Sequence, residues 1–286
     1  MQTTTVVNLP LGDVTVLASA GTSIGSVRSV NEDSFLAASP LFVVADGMGG
    51  HARGDRASQT VIAELGRRLP VGTLPTAAAV LTAITGSNDA VRALTDDDGQ
   101  ALLSGTTLTG ISLVSTNNGA STHWMAFNVG DSRIYSWDGR RLAQLTVDHS
   151  VVQELVDSGA ITEAQARLHP ERNVITRAVG ADVDVDADVW LLPVGGSQTF
   201  VLCSDGLTKE LDDDEIAGVL ARHGSDGGVD TVAEALVAAA DRAGGKDNIT
   251  VVVIASSFDG TGLRDDSTNE RSMTAAAHLE DTRPRA

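Results

Sequence analysis

Apolar residues in this chain come in short, dense runs separated by polar turns, with helical periodicity in only a few places. The runs VTVLAS (14–19), LFVVA (41–45), TTLTGISLV (106–114), HWMAFNV (123–129), RIYSW (133–137), RLAQLT (141–146), QTFVLCS (198–204) and ITVVVIAS (249–256) are rich in β-branched and aromatic residues and read as strands. Asp138-Gly139, between the fifth and sixth, predicts a two-residue hairpin. Four of these strands follow one another with no helix between, so their sheet is expected to be antiparallel rather than doubly wound.

Helical spacing governs three segments. In 54–69, Ala57, Val61, Leu65 and Leu69 share a stripe, and Glu64 and Arg68 pair at i,i+4. Residues 73–95 predict a second helix. In 229–243, Val229, Val232, Ala233, Leu236, Val237 and Ala240 form one face, and Gly244-Gly245 stops the helix. Residues 148–180 read as a mostly helical insertion. Beyond about Ser257 the pattern vanishes, and 258–286 reads as a disordered tail. The expected organisation is one domain over 1–257 followed by that tail.

Length and composition set limits. The 286 residues and 42 % hydrophobic content suffice for a full core. No run of about 18 uninterrupted apolar residues exists, so no membrane span is expected, and the first residues lack the basic and apolar regions of a signal peptide. Cys203 is the single cysteine, which fits a reducing, cytoplasmic setting without disulfides. Its place inside an apolar strand marks it as core rather than nucleophile. Neither Ser204 nor His149 belongs to a recognisable triad order. GMGGHARG lacks the Gly-Lys-Ser/Thr ending of a nucleotide loop.

The formal net charge is −18. Such a surface disfavours nucleic acid and anionic lipid. A phosphorylated substrate would be repelled as well, unless local cations offset the field.

Four acids suggest where those cations would sit. Asp46 follows LFVVA, Asp131 follows FNVG, Asp205 follows FVLCS, and Asp247 precedes NITVVVI. If the last strand runs antiparallel to the one carrying Asp205, all four carboxylates share one rim. Crowded like charges repel by several kcal/mol at an effective dielectric of about 20, so they stay ionised together only with bound cations. An all-oxygen set without Cys or His at metal spacing selects Mg²⁺ or Mn²⁺ over Zn²⁺, with Ca²⁺ left open. Gly47, lacking a side chain, can turn its carbonyl toward a metal. In SVRSVNEDSF (26–35), the planar fork of Arg28 suits phosphate oxygens, and Glu32 and Asp33 can hold metal-bound waters.

The segments RSVNEDS, VVADGMGGHARG, SGTTLTGISL, NVGDSRIY, LCSDGL and KDNITVVVI occur in an order and spacing that resembles the metal-dependent protein phosphatases, the PPM or protein phosphatase 2C family, in particular its compact bacterial serine/threonine members. The likeness covers roughly residues 12 to 256, and 148–180 resembles that family's flap. It implies an α+β fold: a central sandwich of two antiparallel sheets flanked by helices on both sides, four layers in all. It implies that Asp46 bridges two Mg²⁺ or Mn²⁺ ions, that the Gly47 carbonyl completes one, and that Asp205 and Asp247 hold the other. Asp131, with Asp205 and Asn173, would form a third site. Arg28 would bind the substrate phosphate.

The implied activity is hydrolysis of phosphoserine and phosphothreonine in proteins by a metal-bridged water, carried out by a monomer opposing a Ser/Thr kinase. Some family members carry a His after the glycine matching Gly47; Met48 stands there, which leaves a metal water or His51 as proton donor. The rivals are a same-fold phosphatase acting on an anti-anti-sigma-type switch protein, a catalytically silent binding module, and an acidic Ca²⁺-binding protein.

Overall fold

Val251, Val252, Val253 and Ile254 are all buried, yet they serve two different cores: Val252 and Ile254 face one way, Val251 and Val253 the other. A strand covered on both faces loses the apolar–polar alternation and reads as a continuous apolar run. The same holds at Leu41 to Val44, where Phe42 and Val44 join the first core and Leu41 and Val43 a third. Three cores separated by two sheets make four layers.

The computed structural model describes residues 2–9, 12–49, 53–95, 99–100, 104–116, 119–226 and 228–259. In chain order the elements are β1 (Gln2–Leu9), β2 (Gly12–Ser23), β3 (Asp33–Ala38), β4 (Leu41–Gly49), α1 (Gly54–Arg68), α2 (Ala77–Arg92), β5 (Ser104–Thr106), β6 (Leu108–Thr116), β7 (Ser121–Val129), β8 (Arg133–Trp137), β9 (Leu142–Gln144), α3 (Val151–Asp157), α4 (Glu163–Ala166), β10 (Asp188–Pro193), β11 (Ser197–Cys203), α5 (Asp205–Glu210), α6 (Asp213–Asp226), α7 (Val232–Ala243) and β12 (Ile249–Asp259). One sheet has the order β1-β2-β12-β11-β8-β9, the other β10-β7-β6-β4-β3, with β5 paired to the end of β4. All pairings between these strands are antiparallel. This is the expected α+β sandwich.

Between the sheets lie Val14, Val16, Phe42, Ile111, Trp124, Phe200 and Ile254, with Trp124 and Phe200 in an edge-on contact at 5.6 Å. Helices α1 and α2 cover the second sheet through Val61, Leu65, Val80 and Ile84. On the first sheet, α5, α6 and α7 pack Leu207, Ile216, Leu220, Ala233 and Leu236 against Val201, Cys203 and Val251. At roughly 25 cal/mol per Å² of apolar surface, each fully buried Leu or Ile in these layers contributes about 2 kcal/mol.

Several expectations need correction. The consecutive strands β6 to β9 do not form one sheet: the chain changes sheets after β7, at Gly130, whose φ of +104° and 2.7 Å clearance to Thr107 exclude a side chain. The hairpin after β8 closes one residue later than expected, since Asp138 N donates to Arg141 O and the Asp138 carboxylate accepts from the amides of Arg140 and Arg141. The 148–180 insertion is mostly turns, with only α3 and α4 helical. The second helix begins at Ala77, where Thr76 caps it by accepting from Ala79 N at 3.1 Å. Strand β12 runs two residues past the expected domain end, to Asp259; residues 260–286, and with them most of the proposed tail, lie outside the described residues.

Candidate metal centre

The pairing of β11 with β12 is antiparallel, Cys203 opposite Val251. Asp205, just past the end of β11, therefore lies beside Asp247, just before the start of β12. Lys209 shows the proximity directly: its Nζ contacts Asp205 Oδ2 and sits 2.9 Å from Asp247 Oδ2. Asp46 reaches the same rim from β4, in direct register with Asp33 of β3. Asp131 arrives from the turn after Gly130.

The charges at this rim act on one another. Burial, followed by the charges of Asp33, Asp205 and Asp131, drives the Asp46 carboxyl well above its ordinary value. Burial and the Asp205 charge push Asp131 up to about 7. Burial also lifts Asp205, against the opposing pull of Lys209. Asp247 behaves differently: burial pushes it up, but Lys209 and Arg28 together outweigh this and hold it below its ordinary value. The four acids predicted from strand ends are thus gathered at one end of the sandwich.

Hydrogen bonds hold the Asp46 backbone in place. The amide of Asp46 donates to Thr107 Oγ1 at 2.9 Å, and its carbonyl accepts from Thr107 N and Thr106 Oγ1, both at 2.9 Å. Thr107 Oγ1 also lies 2.7 Å from Ser132 Oγ, which ties the Asp46 strand to the turn carrying Asp131. Asp205 opens α5, where a carboxylate suits the positive end of the helix. The preceding Ser204 does not cap that helix; its hydroxyl donates to Asp33 Oδ2 at 2.7 Å and accepts from Thr250 N. Asp33 is pushed up to about 7, chiefly by burial.

Gly47 is required by a close backbone approach. A Cβ there would lie 2.1 Å from Gly54 O and 2.6 Å from Glu32 O. Its amide donates to Glu32 O, and Glu32 Oε1 in turn accepts from Gly54 N at the start of α1. One Glu32 oxygen is therefore committed to that helix.

Arg28 forms a fork on Asp247, with Nε 2.7 Å from Oδ1 and Nη2 3.0 Å from Oδ2. The loop carrying Arg28 is fixed by Asn248, which no local sequence pattern marks. Asn248 Nδ2 donates to the carbonyls of Ile24 and Val30 at 3.0 Å each, and its Oδ1 accepts from Glu32 N at 2.9 Å. Lys209 is equally unmarked by local pattern. A Lys four residues after an Asp looks like an ordinary surface pair, and only the β11–β12 pairing brings it to Asp247.

Asn173 is exposed in the flap, and among the described residues no hydrogen bond joins it to Asp131 or Asp205. His51 lies outside the described residues. Met48 is half-buried on β4.

The donor set can be tested for a metal on the oxygens themselves. Asp33 Oδ1 and Asp205 Oδ1 are buried and meet no hydrogen-bond partner, an arrangement costly in an apolar setting and resolved by a cation. All the donors are oxygens, which fits Mg²⁺ or Mn²⁺. As the side chains stand, no three acidic, His or Cys groups among the described residues converge tightly enough to hold an ion; Lys209 and Arg28 draw Asp205 and Asp247 to themselves.

The described residues thus form a two-sheet sandwich between helical layers, with aspartates and an arginine at one rim. The model of the protein phosphatase 2C family matches residues 20–248, and the chain belongs to that family. It is 38 % identical over 235 residues to the serine/threonine protein phosphatase PstP of Mycobacterium tuberculosis strain H37Rv, covering 80 % of this chain but only 43 % of that protein's length. It is 34 % identical over 248 residues to the serine/threonine phosphatase stp of Listeria monocytogenes strain EGD-e, covering 82 % of this chain and 93 % of the relative. Among solved structures it is similar to the PPM Ser-Thr phosphatase MsPP of Mycobacterium smegmatis in complex with cacodylate, with a TM-score of 0.72 and 37 % identity over 83 % of this chain and 97 % of that one. It is similar also to the catalytic domain of PstP in complex with two manganese ions, with a TM-score of 0.70 and 35 % identity over 85 % and 99 % of the two chains.

Proposed function

We propose that this protein hydrolyses phosphoserine and phosphothreonine in other proteins, using two Mn²⁺ or Mg²⁺ ions, in the cytoplasm and in opposition to a Ser/Thr kinase. The observation that carries the reading is the gathering of Asp46, Asp131, Asp205 and Asp247 at one rim, where Asp205 Oδ1 and Oδ1 of the neighbouring Asp33 are buried without hydrogen-bond partners. The names of the relatives support the substrate class. No helix among the described residues is long and apolar enough to cross a membrane.

Asp46, Asp205 and Asp247 would hold the two ions together with the Gly47 carbonyl, and Asp131 would serve a third. Divalent ions held there would supply a water acidified to near neutrality and charge to offset the phosphoryl oxygens. Arg28 presents a planar fork to the substrate phosphate once its hold on Asp247 is exchanged for that ligand. Asn248 keeps the Arg28 loop in place. The Thr106–Thr107 clamp fixes Asp46, so that little reorganisation is needed at the reacting centre. Glu32 anchors α1 through Gly54 N, and Asp33 accepts from Ser204 through Oδ2 while its Oδ1 stays without a hydrogen-bond partner.

The deciding experiment is release of phosphate from a phosphothreonine peptide with Mn²⁺, with Mg²⁺, with Ca²⁺ and with chelator. Turnover with Mn²⁺ that chelator abolishes is expected. Metal-driven stabilisation without turnover would replace the reading with a silent binding module.

A further inference from the structure

The chain has eighteen arginines but only two lysines, Lys209 and Lys246. Lys246 is a surface group, with a side chain 77 % exposed and 3.9 Å from Glu210. Lys209 points into the acidic rim. Its Nζ touches Asp205 Oδ2 and lies 2.9 Å from Asp247 Oδ2. These are two of the carboxylates expected to take up one divalent ion, and Arg28 forks both oxygens of Asp247.

We propose that Lys209 is a built-in cation that competes with the divalent ion for Asp205 and Asp247, and so sets the metal affinity of that pair. The inference rests on the metal-centre reading given above. An ammonium on Asp205 Oδ2 and Asp247 Oδ2 occupies lone pairs an ion would use and sets a like charge beside it, so the two cations disfavour each other at this pair. Whatever free energy Lys209 gains from the pair is subtracted from that of the incoming ion, by reciprocity of the two bindings. Asp205 Oδ1, buried and unpartnered, is the oxygen left open for the ion's first contact.

The geometry also provides a way out. Lys209 sits one helical turn after Asp205, on a flexible four-carbon stem, and a third of its side chain is exposed. It can withdraw toward water without disturbing α5. When the ion leaves, Lys209 returns and neutralises carboxylates that would otherwise repel one another. Arginine would serve this exchange less well, since its fork binds a carboxylate bidentately and is harder to displace.

Two measurements test the proposal. The first is calorimetric titration of Mn²⁺ into the parent protein, Lys209→Met and Lys209→Arg. Lys209→Met is expected to bind its weaker Mn²⁺ about tenfold more tightly than the parent and to melt at a lower temperature in chelator; Lys209→Arg is expected to bind it no more tightly than the parent. The second uses the unaltered protein, so it decides even where a variant fails to fold. Acetylation of amines, mapped by mass spectrometry, is followed with and without Mn²⁺, with Lys246 as the internal reference. Faster labelling of Lys209 under saturating Mn²⁺ is expected. Equal Mn²⁺ affinity in the parent and Lys209→Met, or Lys209 labelling unchanged by Mn²⁺, would overturn the proposal. A parent protein that binds no Mn²⁺ at all would instead overturn the metal-centre reading beneath it.

Discussion

Asp33 and Asp46 stand directly opposite each other across β3 and β4. Two acids in register on adjacent strands are ordinarily destabilising. Burial pushes Asp33 and Asp131 up to about 7 and, with the neighbouring acids, raises Asp46 well above its ordinary value. The folded protein then holds protons that the unfolded chain releases near its ordinary value of about 3.9. Between those values the folded state binds more protons, so stability falls as pH rises. Asp247, held below its ordinary value, acts in the opposite sense only below about pH 4. In chelator, the melting temperature should drop from about pH 5 to about pH 8, and saturating Mn²⁺ should remove the drop. Calorimetry at both pH values checks this; a chelated protein that gains stability across that window would contradict it.

Replacing Asp46 by Ala should cut turnover by about a thousandfold or more while leaving the chain folded, because it removes one charge from a repulsive group. Hydrolysis of p-nitrophenyl phosphate with Mn²⁺, alongside circular dichroism, separates loss of chemistry from loss of fold. Near-full activity would remove Asp46 from the centre.

Arg28→Ala should act on substrate binding. KM is expected to rise about tenfold or more with a smaller change in kcat, and Arg28→Lys should restore little, since a point charge cannot reproduce the fork. An unchanged KM would show that Arg28 serves only Asp247.

Asn248→Ala removes three hydrogen bonds that tie the start of β12 to the loop carrying Arg28. A loss of about 2–4 kcal/mol in urea unfolding is expected from the stranded buried groups. Hydrogen exchange should report lost protection at the Glu32 amide. Full protection there would show that the loop is held by other contacts.

At the start of α1, Gly54→Ala would place a Cβ 2.5 Å from the Gly47 carbonyl carbon. Both sides of this contact are backbone, so relief requires moving either the helix or the strand end that bears Asp46. A destabilisation of about 3 kcal/mol or more is expected, together with weaker Mn²⁺ binding. A variant as stable as the parent would mean that α1 shifts freely.

Much of this was legible along the chain. Runs such as 41–45 and 249–256 announce strands covered on both faces, and an acid after the first and just before the second marks the end at which each buried strand reaches a polar rim. The motifs around Asp46, Asp131, Asp205 and Asp247 carry the family. Edge elements were less visible: β1 and β3 are polar or short, α5 spans six residues, and α6 is rich in acids, so none has the periodicity that burial imprints on central elements.

Tertiary structure decided the rest, because it depends on which strands become neighbours. No local pattern says that β6 and β7 belong to one sheet and β8 and β9 to the other; that division follows from the turn at Gly130. No local pattern brings Asn248 to the carbonyls of Ile24 and Val30, more than two hundred residues earlier. Lys209 reads as the i,i+4 partner of Asp205 and nothing more until β11 and β12 pair and set Asp247 beside it. Side-chain type and spacing along one element are local and can be read in the sequence; charge pairing across elements arises only when the sheets close, since electrostatic coupling depends on distance in space rather than along the chain.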